Sequence, residues 1–262
     1  MLRPILAAGL VALALAAGYG VVARDPLPLP ETVTIPGGTQ IYRASGEYRI
    51  GTRRIDAPAV SQQVGPLHIM KYQVTQEDYA RCMADGACLE VTTSPGAQIP
   101  QTGVSWSDAT AYADWLSDRT GLRWRLPTDA EWLRAAAERG FDGALGAEGA
   151  NPADRWLASY RSEVERRGEA DLTPRPTGHF GATSTGMQDA AGNVWEWTNS
   201  CDERVQLAED GQTRAIERFC GVRVAQGKHR AFVVDFVRDA RSGGCAAGVP
   251  PDFLGFRLVR ED

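Results

Sequence analysis

The chain has 262 residues, 43% of them hydrophobic, enough for one large domain or two small ones with an ordinary core. Its 28 basic and 33 acidic residues leave a net charge of -5 and a pI near 5.4. No basic run exceeds a pair such as Arg166-Arg167, which excludes a nucleic-acid partner.

Arg3 followed by an Ala/Leu/Val/Gly run from Pro4 to Ala23 makes residues 1–24 read as an export signal, with Ala14-Leu15-Ala16 and Val21-Val22-Ala23 as small-residue cleavage sites. An uncleaved membrane anchor is the alternative, because the run nearly spans a bilayer. Residues 25–31 form a Pro-rich spacer and residues 32–262 the folded domain. The expected location is the periplasm or the exterior, with membrane contact only if the leader is retained.

From Thr32 to Tyr72, short apolar runs (Val33–Ile35, Gln40–Tyr42, Tyr48–Ile50, His68–Tyr72) alternate with Gly and Pro, the texture of irregular short strands. Thr75 followed by Asp78 predicts a helix N-terminus, with the helix ending near Cys82. A second helix is expected from Ser107, burying Ala109, Tyr112, Ala113 and Leu116 and stopping at Gly121. Leu122–Leu126 reads as a strand. Thr128 and Glu131 stand in capping-box spacing for a third helix, with Trp132, Leu133, Ala136 and Ala137 as its buried stripe. Residues 140–189 read as mostly loop, 202–218 as a polar excursion, 222–237 as strand-like and Gly255–Val259 as a closing strand.

Five cysteines in an exported chain read as disulfides. Cys82 and Cys88 flank a short loop, Cys201 and Cys220 flank the polar excursion, and both pairs are expected to bond. Cys245 is left over as a buried thiol, an intermolecular partner or a reactive group.

The densest stretch is Asp189–Thr198, where two acids, a Gly-Asn turn and two tryptophans fall within ten residues. Alternation predicts a short strand with Trp195 and Trp197 on one face and Val194 and Glu196 on the other. Two readings stay open for its acids. Asp189, Glu196 and turn carbonyls form a ring of hard oxygens for calcium, or the turn caps a core strand and Glu196 pairs with an arginine.

In order, Tyr72–Tyr79, Val104–Tyr112, Arg125–Trp132, Gly186–Thr198 and Leu254–Val259 resemble motifs of the formylglycine-generating enzyme, or sulfatase-modifying factor, family. The resemblance covers the chain from about Val33 to its end. It implies a single α+β domain of C-type-lectin-like type with little regular secondary structure. It also implies structural calcium, with the Asp189 side chain, the Gly192 and Val194 carbonyls and the Glu196 side chain as ligands, and Asn151 near a second site. Copper is not expected. Active relatives hold copper(I) between two cysteines, whereas residues 223–241 contain none.

His229, Arg230, Asp235, Arg238, Asp239 and Arg241 fall where the family's pocket lies, either for acid/base or anion-binding work or as a salt-bridged network. Trp195, Trp197 and Phe256 read as core. The resemblance implies a non-catalytic accessory or regulatory module whose partner is another periplasmic or membrane protein, for example a kinase controlling type VI secretion. The alternatives are a periplasmic oxidoreductase built on Cys245 and His229, and carbohydrate binding by analogy of fold.

Overall fold

The computed structural model describes residues 27–93, 97–140, 157, 173–235 and 250–261. These residues form three α-helices and twelve strands, the strands arranged in three sheets. The expected leader, Asn151, Arg238, Arg241 and Cys245 lie outside them.

All three helices begin with the same local device. In α1 (Gln76–Ala84), α2 (Trp106–Thr120) and α3 (Asp129–Ala136), the hydroxyls of Thr75, Ser105 and Thr128 accept the backbone N–H three residues on, and Asp78, Asp108 and Glu131 answer in return. The box places the start of α2 at Trp106, one residue before the expected Ser107, because Asp108 reaches back to the Ser105 N–H at 2.8 Å. Gly121 ends α2 in the left-handed region, φ 70°. In α3 the stripe is Trp132, Leu133, Ala135 and Ala136. Ala137 is not part of it, since the chain leaves the α-helix there at φ 46°.

Glu131 is tied to Arg125 by two bonds of 2.7 Å. Burial raises its pKa, but the Arg125 guanidinium and the Thr128 N–H outweigh this and hold it below the ordinary 4.5. A depressed folded pKa contributes stability above the unfolded value, and that contribution is lost as pH falls below about 4.5. Glu131→Gln is therefore expected to flatten the acid limb of a stability-versus-pH curve measured by urea unfolding, its destabilisation being largest near neutral pH and shrinking as pH falls below about 4.5.

One sheet runs β1 (Thr32–Ile35), β6 (Leu67–Met70), β12 (Val259–Glu261), β7 (Arg123–Arg125). Another pairs β2 (Gly38–Arg43) with β5 (Ala59–Val64) as a two-stranded ribbon. The largest has the path β10 (Ala231–Val234), β9 (Thr213–Gln226), β8 (Trp195–Leu207), β3 (Glu47–Ile50), β4 (Arg53–Ile55), with β11 (Leu254–Gly255) parallel to β8. The expected polar excursion over 202–218 is in fact the outer half of the β8–β9 hairpin, paired from Asp202↔Phe219 to Leu207↔Thr213. Residues 213–221 are exposed on both faces, so no apolar alternation marks them as strand. The expected closing strand divides into β11 and β12, with Phe256–Leu258 between them buried in the core.

Two core clusters flank the start of β8. Trp197 and the partly buried Trp195 pack into the first, with Tyr79, Tyr112, Leu116 and Phe256. The second contains Ile69, Trp132, Met187 and Val259.

Candidate functional site

The Asp189–Thr198 stretch enters β8 through a tight turn. Asp189, Ala191 and Asn193 all have positive φ (58°, 55° and 49°), and fixed hydrogen bonds hold the turn in place. The fully buried Asp189 carboxylate accepts the N–H groups of Gly178 at 2.5 Å and Phe180 at 2.8 Å. The Asn193 amide bridges both backbone groups of Arg175, at 2.8 and 2.9 Å. Gly192 is required by contact, since a Cβ there would lie 2.8 Å from the Phe180 ring.

Glu196 also sits at 0% exposure, and both its oxygens are occupied by protein donors. Oε2 accepts Arg257 Nε at 2.6 Å and Trp132 Nε1 at 2.8 Å, while Oε1 accepts Arg257 Nη2 at 2.8 Å and Gln73 Nε2 at 2.9 Å. Arg257 places its remaining N–H groups on the carbonyls of Met70, Lys71 and Gln188, so all five of its donors are used.

Each oxygen of the Glu196 carboxylate thus takes two protein donors, one of them from Arg257. Of the two readings open in the sequence, the arginine pairing is the one the fold adopts for this residue. The Asp189 carboxylate and the Gly192 and Val194 carbonyls are the other ligands the resemblance implies, and calcium completes its six to eight oxygens with waters. Asp189→Ala is expected to lower stability by roughly 1–3 kcal/mol through the two orphaned N–H groups, equally in calcium and in chelator. A loss that grows with added calcium, read by thermal unfolding, would instead identify an ion at this turn.

The side chains expected to line a pocket divide among different tasks. His229 lies against Trp195 with ring centroids 5.3 Å apart, Phe253 packs on the same indole at 5.8 Å, and Trp195 Nε1 donates to the His229 carbonyl at 3.3 Å. Gly227 lets this aromatic group close, since a Cβ would sit 2.7 Å from the Trp195 ring. Asp235 caps α2, accepting the Trp106 N–H and the Ser107 hydroxyl, each at 3.1 Å. Arg230 pairs with the buried Asp129 at 2.8 Å and donates to the carbonyls of Arg43 and Ala44. Gln226 Nε2 also donates to Asp129. His229, Arg230 and Asp235 thus do not converge on one reacting atom.

A cleft of about 680 Å³ opens beside this network, between the β2–β5 ribbon, the start of α3 and the β8–β9 hairpin. Tyr42, Tyr48, Asp129, Asn199, Glu203 and Arg218 supply its aromatic and polar lining, and the Cys201–Cys220 bridge forms part of its wall. Burial, with the Asp129 carboxylate beside it, pushes the Tyr42 hydroxyl above its ordinary range. Burial raises Tyr48 in the same way, with the Glu203 carboxylate adding to it. Both phenols are therefore hydrogen-bond donors at neutral pH. Sequence reading missed this cleft because Tyr42 and Tyr48 stand far from Asp129 along the chain. Both expected disulfides form, Cys82–Cys88 and Cys201–Cys220.

The model of the sulfatase-modifying factor enzyme 1-like domain matches residues 18–262. A formylglycine-generating enzyme of Streptomyces coelicolor is 35% identical over 131 residues, 48% of this chain and 39% of that one. An inactive C-alpha-formylglycine-generating enzyme 2 of Bos taurus is 30% identical over 176 residues, 60% of this chain and 54% of that one. The chain thus matches between about two fifths and a little over half of the length of these curated relatives. Among solved structures, PvdO from Pseudomonas aeruginosa superposes with a TM-score of 0.56 at 21% identity, over 89% of this chain and 95% of that one, a likeness of fold.

Proposed function

Because the chain belongs to the sulfatase-modifying factor enzyme 1-like domain family, we propose that it is a non-catalytic binding or accessory module on that scaffold, exported and acting on another periplasmic or membrane protein. The observation that carries this reading is how the polar residues of 229–235 are engaged. Asp235 caps a helix, Arg230 neutralises Asp129, and His229 packs edge-on to Trp195. General acid/base work needs a group free to reach the proton it moves. Residues 223–241 also lack the cysteine pair that copper(I) requires. The cleft beside Asp129 offers the features of a recognition site instead, two tyrosine rings among paired acids and arginine. The bovine relative, named as inactive, is a precedent for the scaffold persisting without the chemistry.

The test joins metal analysis to site-directed cross-linking. The purified protein is expected to carry no stoichiometric copper or iron. A photoreactive residue at Gln62 or Arg218, on the cleft wall, is expected to trap one envelope protein that the same probe at Ile41 does not. Stoichiometric copper or iron, with oxygen consumption on a cysteine-containing peptide, would replace this reading with an oxidoreductase.

A further inference from the structure

The two disulfides differ in access. Cys82 is fully buried and Cys88 is 9% exposed, whereas Cys220 is exposed and Cys201 half-buried, and both of the latter line the cleft. Thiol–disulfide exchange needs a sulfur that a thiolate can reach and a partner sulfur that leaves readily as thiolate. The bridge divides these roles between its two ends. Arg223, the ladder partner of Cys201, donates from Nη1 to Cys201 Sγ at 3.2 Å. Its guanidinium lies 3.6 Å over the Trp106 ring, whose backbone is held in turn by Asp235. Arg223 Nε is buried with no hydrogen-bond partner among the described residues. A cation is thus fixed beside one sulfur while the other faces solvent. The ladder shifts register on both sides of Cys201, so the bridge sits at an irregular point of the hairpin.

We propose that Cys201–Cys220 is an exchange site, reduced by a dithiol that enters through the cleft. The attacking thiolate bonds to Cys220 Sγ, the Sγ–Sγ bond breaks, and its electron pair leaves on Cys201 as a thiolate beside Arg223. The second thiol of the reductant then attacks the mixed disulfide and releases Cys220, which takes up the proton that thiol gives up. The reductant departs as a disulfide, and two electrons have passed to the protein. This chemistry does not depend on what else the cleft binds.

Native incubation of the whole protein with dithiothreitol, quenched and mapped by differential alkylation, tests it with Cys82–Cys88 as internal reference. Cys201–Cys220 is expected to open at least about a hundredfold faster than the reference with circular dichroism unchanged. Glutathione, a monothiol, is expected to leave its adduct on Cys220. Arg223→Gln is expected to slow opening roughly tenfold, with Arg223→Lys restoring part of the rate. A merely loosened hairpin would speed the reaction, so the sign separates the two roles. Equal rates for both disulfides, adducts on Cys201, or a rate that Arg223→Gln leaves unchanged or increases would overturn the proposal.

Discussion

Replacing Arg257 with methionine is expected to lower the free energy of unfolding by roughly 3–5 kcal/mol, since it leaves Glu196 as a buried carboxylate without its countercharge. Both residues are at 0% exposure, so water cannot stand in for the lost guanidinium. The same change removes donors from the carbonyls of Met70, Lys71 and Gln188. Three parts of the chain that this side chain ties together would be released at once: the end of β6, the turn before Asp189 and the start of β8. Glu196→Gln alone is expected to cost a comparable amount, because it strands the buried Arg257 charge and turns its NH2 group onto one Arg257 N–H together with Gln73 or Trp132. In the double variant Arg257→Met with Glu196→Gln, no charge is stranded, and stability is expected to recover by about 1 kcal/mol or more over Arg257→Met. Guanidinium unfolding of the four proteins closes the cycle. Additive losses would show that the two charges are solvated independently and that the pair does not organise the core.

The helices were legible because their start signals are local. Thr75 with Asp78 and Thr128 with Glu131 marked α1 and α3, and the structure caps both helices there, whereas the apolar face of α2 points to a start at Ser107 and overlooks its Ser105–Asp108 box. The two disulfides were legible for a similar reason, since each closes a short excursion. The outer β8–β9 hairpin was not legible. Its side chains face solvent on both sides, so the pairing rests on backbone bonds, cross-strand contacts such as Arg218 with Glu203 at 2.7 Å, and the disulfide. The candidate cleft was hidden by distance along the chain, for Tyr42 and Tyr48 meet Asp129 and Arg218 only after the sheets have assembled. For Glu196, composition supplied both an ion ring and an arginine partner. The arginine comes from the far end of the chain, and its approach to Glu196 is a property of the assembled core.

Trp197→Ala is expected to cost roughly 3–5 kcal/mol, while Trp195→Ala, two residues away on the same strand, costs well under half of that. Trp197 is completely buried, packs in the first core cluster and donates to the Val104 carbonyl at 2.8 Å, so its removal opens a cavity and orphans an acceptor at once. Trp195 is only partly buried against that cluster, and its ring contacts His229 and Phe253 near the surface. Trp197→Phe keeps most of the packing and is expected to fall between the two. The strand alternation predicted one shared face for both tryptophans, and both do pack toward the first cluster. What separates them is depth along β8. Trp197 lies where α2 and the segment before β12 close over the strand, and Trp195 lies at its entry, where the chain emerges from the Asp189 turn. Thermal and chemical unfolding of the three variants would measure that gradient directly. A loss for Trp195→Ala as large as that for Trp197→Ala would place the aromatic group with His229 inside the core, and His229 would then belong to the packing of the domain and to no surface site.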